Sequence, residues 1–171
     1  MVFDLGTLTT VHTAISLLAI LFGVLALVEM LGVALPSFVG VIFLLLAFLT
    51  SATGFLFPFN SLLPSHIVGG IALAVLAVAL LARYAGHLAG AWRWIYSVMV
   101  VASVYFLIFV GVAQAFAKIP ALQGLAPTQS EPPFAIAQLV VLAIFIAIGI
   151  GAARRFQPNS LSLGTSSRLA H

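Results

Sequence analysis

The chain contains no cysteine and very little charge, and both shortages restrict what it can be. Without cysteine there is no disulfide, thiolate nucleophile, iron–sulfur cluster or cysteine-based zinc site. Only 5% of the 171 residues are charged, against about a quarter in an ordinary soluble domain. Because no water-soluble fold could cover its surface with so few charges, the sequence predicts an integral membrane protein.

Long apolar runs make up most of the chain, which is 64% hydrophobic and has a mean hydropathy of +1.31. A membrane-spanning helix needs about 20 mainly apolar residues, and five windows meet that requirement. We therefore predict an all-α transmembrane bundle of about five helices within residues 1–156. The spans are expected at about 11–28, 37–57, 66–83, 94–117 and 134–153. The polar residues 157–171 are predicted to form a disordered tail.

The basic residues lie at the ends of the apolar runs and predict the orientation of the helices. Such residues anchor and orient membrane helices, so the formal net charge of +3 does not indicate a nucleic-acid partner. Lys118 is the one basic residue on the side that holds the N-terminus. The other side holds the five arginines: Arg83, Arg93, Arg154, Arg155 and Arg168. The positive-inside rule then places the C-terminal tail in the cytoplasm and the N-terminus outside.

Polar side chains inside membrane spans are costly and commonly mark functional sites. Each of the five predicted helices carries one near the end that is expected to face outside. They are His12, Thr53, His66, Gln114 and Gln138. We predict that these five side chains build an outward-facing polar pocket that binds a small ligand.

The two histidines of this group lie at similar predicted depth and are candidate metal ligands. His12 continues a stripe of small residues that includes Gly23, and His66 begins a stripe with Gly70 and Ala77. Small residues let membrane helices approach closely, so both stripes are expected to face the bundle interior. Two facing histidines could ligate a haem b iron. A quinone, another metal or another small ligand is an alternative, as are simple hydrogen bonds from both rings to helix ends or water.

The sequence offers no recognisable catalytic constellation. It has no HExxH or GxSxG motif, no paired carboxylates and no acidic residue at mid-depth in a span. We therefore predict no catalytic residues. The alternative to ligand binding is a non-catalytic accessory or structural subunit, whose small-residue faces pack in a larger membrane complex or a homo-oligomer.

Two stretches carry a resemblance to known proteins. Thr50–Phe59 reads TSATGFLFPF and Ala126–Phe134 reads APTQSEPPF. Together they resemble a group of small multi-pass proteins of proteobacterial inner membranes, from His12 to about Arg155. That group has no established activity, so the resemblance implies location and fold alone. The proline-rich second stretch is expected to form a rigid outer loop; a lid over the pocket or a docking site is the alternative.

Overall fold

A computed structural model describes residues 4–36, 38–57 and 64–156, and it describes side chains in the third stretch from Ile67 onward. Over these residues the chain forms six helices and no strand, which confirms the predicted all-α bundle. The helices are α1 (Leu5–Met30), α2 (Phe38–Gly54), α3 (Pro64–Leu80), α4 (Ala91–Lys118), α5 (Pro120–Gln123) and α6 (Pro132–Arg155). The predictions for the His66 side chain and for the tail 157–171 lie outside the described residues.

Four helices are long and apolar enough to cross a bilayer, so this is a multi-pass membrane protein. They are α1, α3 with its extension to Ala85, α4 and α6. At 1.5 Å per residue the 26 residues of α1 span roughly 39 Å, more than the hydrocarbon core of about 30 Å. The 17 residues of α2 reach only about 26 Å. This apolar helix is therefore the short member of the bundle.

The helix ends follow from local chemistry. The Asp4 side chain caps α1 by accepting a hydrogen bond from the Gly6 backbone N–H, and a proline pair occupies the first turn of α6. After α3 the chain continues as one π-helical turn, Leu81–Ala85, before it reverses toward α4. In this reversal Leu88 adopts a positive φ of 54° and packs its side chain against the core. That contact offsets the cost of a left-handed conformation in a leucine.

The core is tightest where α1 crosses α2 and α4. Gly23 of α1 lies so close to these helices that an added Cβ would come within 2.9 Å of Phe43 on α2 and of Val104 on α4. Ala19 and Ala26, one turn to either side, are also buried. The predicted stripe of small residues on α1 therefore does face the interior, as close packing in lipid requires.

The corresponding prediction for α3 was wrong. Gly70 and Ala77 are exposed, and a Cβ added at Gly70 would meet nothing within 4 Å. The buried face of α3 instead carries Leu76, Ala79 and Ala82. Small residues can face lipid at little cost, because lipid tails are as apolar as leucine. Their spacing alone therefore does not identify the contact face. The stripe of Gly70 and Ala77 consequently does not support an inward-facing His66.

The bundle has two chemically different ends. Because neighbouring helices are antiparallel, the end of one helix lies beside the start of the next. Gly54 at the end of α2 lies beside His12 in the first half of α1, and Gly40 at the start of α2 lies beside Tyr96 in the first half of α4. We call the first the histidine end. The opposite, arginine end carries Arg83, Arg93, Arg154 and Arg155, since Arg83 binds Tyr96 and Tyr96 stacks near Phe156.

Candidate functional site

The histidine end is organised around a hydrogen bond between two predicted site residues. Nδ1 of His12 lies 2.8 Å from Oγ1 of Thr53. The Thr53 hydroxyl also donates to the Leu49 carbonyl at 2.7 Å. A hydroxyl has a single proton, and a Thr53 proton directed at that carbonyl favours the tautomer in which His12 Nδ1–H donates to Thr53. In the neutral ring the lone pair is consequently on Nε2, where it can accept a hydrogen bond or bind a metal.

A pocket of about 650 Å³ lies beside this pair, between α1, α2, α3 and α4. Its size is within the range of about 300–1,000 Å³ that is typical of small-molecule sites. Apolar residues such as Ile20, Leu76 and Leu107 form one part of its wall. Polar groups from α1, α2 and α4 form another part: Thr9, His12, Thr13, Ser51, Gln114 and Lys118. No acidic residue is among the described lining residues, and Lys118 is the charged residue that they include.

Thr50 in the same wall has an unsatisfied hydroxyl. Its side chain is only 8% exposed, and the Oγ1 atom is buried without a hydrogen-bond partner among the described residues. Other hydroxyls of the wall donate to a carbonyl of their own helix, as Ser16 does to His12 at 2.7 Å and Ser103 to Met99 at 2.9 Å. A buried polar group without a partner costs about 1–3 kcal/mol, and in a native protein it calls for an explanation such as a bound molecule.

The structure brings some of the predicted site residues together and leaves one apart. His12 and Gln114 both line the pocket, and Thr53 orients His12. Gln138 does not line it. The Gln138 amide donates to the Phe109 carbonyl at 3.1 Å, because α6 packs on a different face of α4 from the one that meets the pocket. The sequence predicted a polar residue near the start of α6, but it did not predict the direction in which that residue points around the helix.

Several polar groups of the pocket were not among the predicted site residues, and the sequence pattern could have indicated three of them. Thr9 precedes His12 by three positions on α1, and Lys118 follows Gln114 by four on α4. Residues three or four apart share one helix face, so each could have been placed beside the predicted residue. The third, Thr50, precedes Thr53 by three positions on α2 and follows the same pattern.

The predicted metal and haem sites are not assembled by the residues that the structure describes. Within them there is no group of three or more histidine, aspartate or glutamate side chains close enough to hold an ion. His12 offers one free ring nitrogen, while the His66 side chain lies outside the described part of the chain. Ligation of a metal or of haem b by His12 and His66 therefore stays a prediction.

The proline-rich loop before α6 is fixed against α4, away from the pocket. The Gln129 amide donates to the Ala113 carbonyl at 2.8 Å. Glu131 accepts hydrogen bonds from the Thr128 hydroxyl at 2.8 Å and from the Ser130 backbone N–H at 3.0 Å. Slight desolvation raises the pKa of Glu131, but these hydrogen bonds outweigh it, and the net pKa is below its usual value. Described residues of this loop do not line the pocket, which favours the rigid connection over the lid.

The arginine end holds a separate polar cluster that fixes the helices to one another. The Arg83 guanidinium donates to the Tyr96 hydroxyl at 3.1 Å and lies over the rings of Tyr84 and Tyr96, 5.9 and 5.7 Å from their centroids. Gly40 of α2 makes room for it, since a Cβ there would lie 3.2 Å from the Tyr96 oxygen. Glu29 is within electrostatic reach of Arg83, as expected for a carboxylate near the membrane boundary.

Comparison with protein-family models, with curated proteins and with solved structures finds no match to this chain. The resemblance to small proteobacterial inner-membrane proteins therefore stays a prediction. The geometry of the histidine end is the basis for assigning a function.

Proposed function

We propose that this protein binds a small amphipathic ligand in the pocket between α1, α2, α3 and α4. The observation that carries the proposal is the pocket of about 650 Å³ beside the His12–Thr53 hydrogen bond, with polar side chains on one part of its wall and apolar side chains on another. Oxygens of the ligand would bind to polar side chains of the wall such as Gln114. The apolar part of the wall would hold the rest of the molecule, as in most small-molecule sites.

The His12–Thr53 pair supports ligand binding for a second reason. A histidine whose Nδ1–H is held by an oxygen presents its Nε2 in a fixed direction, which is how proteins prepare an imidazole to bind a ligand. A residue that served only to satisfy its own helix would not need this support from a neighbouring helix. The ligand's polar head is therefore placed at His12, with its apolar part toward Leu76.

A quinone and haem b are the two redox forms of this proposal. A quinol hydroxyl could donate to Nε2 of His12, and a haem iron could be ligated by the same atom. Haem b would give the purified protein a strong visible absorption, and a quinone would appear in an organic extract. Absence of both would leave a redox-inactive amphiphile as the ligand.

The pocket can be tested by filling it. Ala72 of α3 lines the pocket, and Ala72→Phe would place a ring where the ligand's apolar part is proposed to lie. Ala143→Phe is the matched control, because Ala143 is exposed on α6 and lies outside the pocket. Mass spectrometry of extracts from the purified proteins should find one enriched compound with the wild type and Ala143→Phe, and none with Ala72→Phe. Equal recovery from all three would contradict the proposal.

The orientation belongs to the same proposal: a bacterial inner-membrane protein whose histidine end faces outside. It is supported by the four arginines at the opposite end, since positive residues favour the cytoplasmic side. The absence of native cysteine makes single introduced cysteines unambiguous reporters. In intact cells an impermeant maleimide should label Ala121→Cys, in the short helix α5 after α4, but not Ala89→Cys, in the turn before α4. The reverse pattern would overturn the orientation.

An accessory-subunit function is the alternative, and α6 is the observation that favours it. Only 6% of the most apolar window of α6 is buried, against 33% for α4, so α6 offers a wide face to lipid or to another protein. A larger assembly that survives mild detergent, and that is lost with bulky substitutions on α6 but not in the pocket, would favour this function over ligand binding.

A further inference from the structure

The charges around the pocket indicate which kind of amphiphile it would take. Lys118, at the end of α4, lines the wall together with Gln114 one turn earlier. Its charge is close enough to act on the His12 ring. The wall carries no carboxylate among its described residues. A cation in a wall without a counter-charge favours an anionic ligand, because charge-assisted hydrogen bonds are the strongest that such a site can form.

The acids at this end of the bundle do not compete for Lys118. The Asp4 carboxylate caps the first turn of α1 through Gly6. Glu131 is engaged by Thr128 and Ser130 in its own loop. Within the described residues no carboxylate is paired with Lys118, so its positive charge can pair with a ligand.

The tautomer of His12 narrows the choice of anion. Because Nδ1–H is held by Thr53, the neutral ring presents a bare Nε2 that repels an unprotonated carboxylate. A phosphate monoester has a second pKa of about 6, so near neutral pH it can carry one P–OH. That proton can form a hydrogen bond between the phosphate oxygen and Nε2. The phosphate donates if it keeps the proton, and the His12 ring donates if the proton is transferred to Nε2. The Gln114 amide provides a further donor for the remaining oxygens.

We infer that the ligand is a single-chain lipid phosphate monoester, with its phosphate between Lys118 and His12 and its chain along the apolar wall. This inference rests on the proposed function. Monoacyl glycerophosphates and isoprenyl phosphates share this chemistry. A fatty acid would bind more weakly because it has no proton to give Nε2, and an uncharged amphiphile would not use Lys118.

The test is direct binding to the purified full-length protein in nanodiscs of uncharged lipid. The probes are oleoyl lysophosphatidate, farnesyl phosphate, oleate and the uncharged monoolein. Lys118→Gln should weaken binding of both phosphates by about tenfold, the effect of losing roughly 1.4 kcal/mol, and Lys118→Arg should largely retain it. The matched control is Arg155→Gln, which removes the same charge from the arginine end and should leave binding unchanged. Thermal unfolding of each variant verifies that it is folded.

The outcomes separate the inference from the proposed function. Tight binding of either phosphate, weakened about tenfold in Lys118→Gln, supports the inference. The phosphate that binds more tightly indicates whether the ligand's apolar chain is acyl or isoprenyl. The phosphate inference would be overturned if monoolein or oleate bound as tightly as the phosphates and Lys118→Gln had no effect on that binding. If Ala72→Phe still blocked the binding, the proposed pocket would remain supported. If Ala72→Phe blocks none of the four probes, the pocket is not the site and both proposals fail.

Discussion

The close crossing of α1 with α2 and α4 predicts a large effect from a single methyl group. In Gly23→Ala the new Cβ would lie 2.9 Å from Phe43 Cε2 and 2.9 Å from Val104 Cγ2. Carbon atoms pack best at about 3.5–4.0 Å, so each contact is too short by roughly 0.6–1.1 Å. Phe43 and Val104 are fully buried and cannot move aside without disturbing the core. Overpacking of this kind typically costs about 1–3 kcal/mol.

The control is Gly70→Ala, where the added Cβ meets nothing within 4 Å. Both substitutions replace a helical glycine with alanine, so both receive the same gain in helix propensity of up to about 1 kcal/mol. The difference between the two variants therefore isolates the clash. Unfolding in mixed micelles can be followed by the fluorescence of Trp92 and Trp94, the only tryptophans in the chain. Gly23→Ala should be less stable than Gly70→Ala by about 1–3 kcal/mol. Equal stability would refute the tight crossing.

Three further predictions concern polar groups outside the pocket. Tyr96→Phe should lower the free energy of unfolding by about 1.5–3 kcal/mol, because Arg83 loses a buried hydroxyl partner; a thermal unfolding midpoint equal to wild type would contradict it. Gln138→Leu should change stability by less than about 1 kcal/mol, because the loss of one hydrogen bond is offset by the removal of a buried oxygen without a partner. It should also leave ligand binding intact. Calorimetry and a binding assay check these two results. The lowered pKa of Glu131 means that its stabilisation of the loop is present above the usual carboxyl pKa and is lost as pH falls through the lowered value. The Thr128 backbone N–H also donates to Glu131, at 3.2 Å. Its hydrogen exchange, corrected for the intrinsic rate, should therefore be steady from neutral pH to about pH 5 and accelerate in stronger acid. At neutral pH the exchange should be faster in Glu131→Gln than in the wild type.

The architecture was predictable because membrane spans leave a one-dimensional pattern in the sequence. The bilayer requires about 20 apolar residues per helix, and each of the five predicted windows overlaps a helix, although α2 is shorter than a full span. The level of a residue along the bundle could also be predicted, since it follows from position along the chain. His12 and Thr53 were expected at one level, and they form a hydrogen bond.

The direction in which each residue points around its helix was harder to predict. Lipid-facing and protein-facing surfaces are both apolar, so the sequence pattern does not distinguish them. For α1 the small residues did mark the contact face, because Gly23 is required at a crossing. For α3 they did not, because Leu76 and not Gly70 faces the core. Gln138 was misplaced for the same reason, because it lies on a helix that packs away from the pocket.

The most direct measurement of the central claim is to locate a bound amphiphile on the chain. Alkyl phosphate and uncharged amphiphiles that carry a photoreactive diazirine can be added to the protein in nanodiscs and crosslinked by light. Peptide mapping should place the adducts on α1, α2 and α4 around His12, Thr50 and Gln114. The adducts should disappear in Ala72→Phe and persist in Ala143→Phe. Adducts spread over the lipid-facing side of α6, and equal in all three proteins, would contradict a ligand-binding pocket at the histidine end.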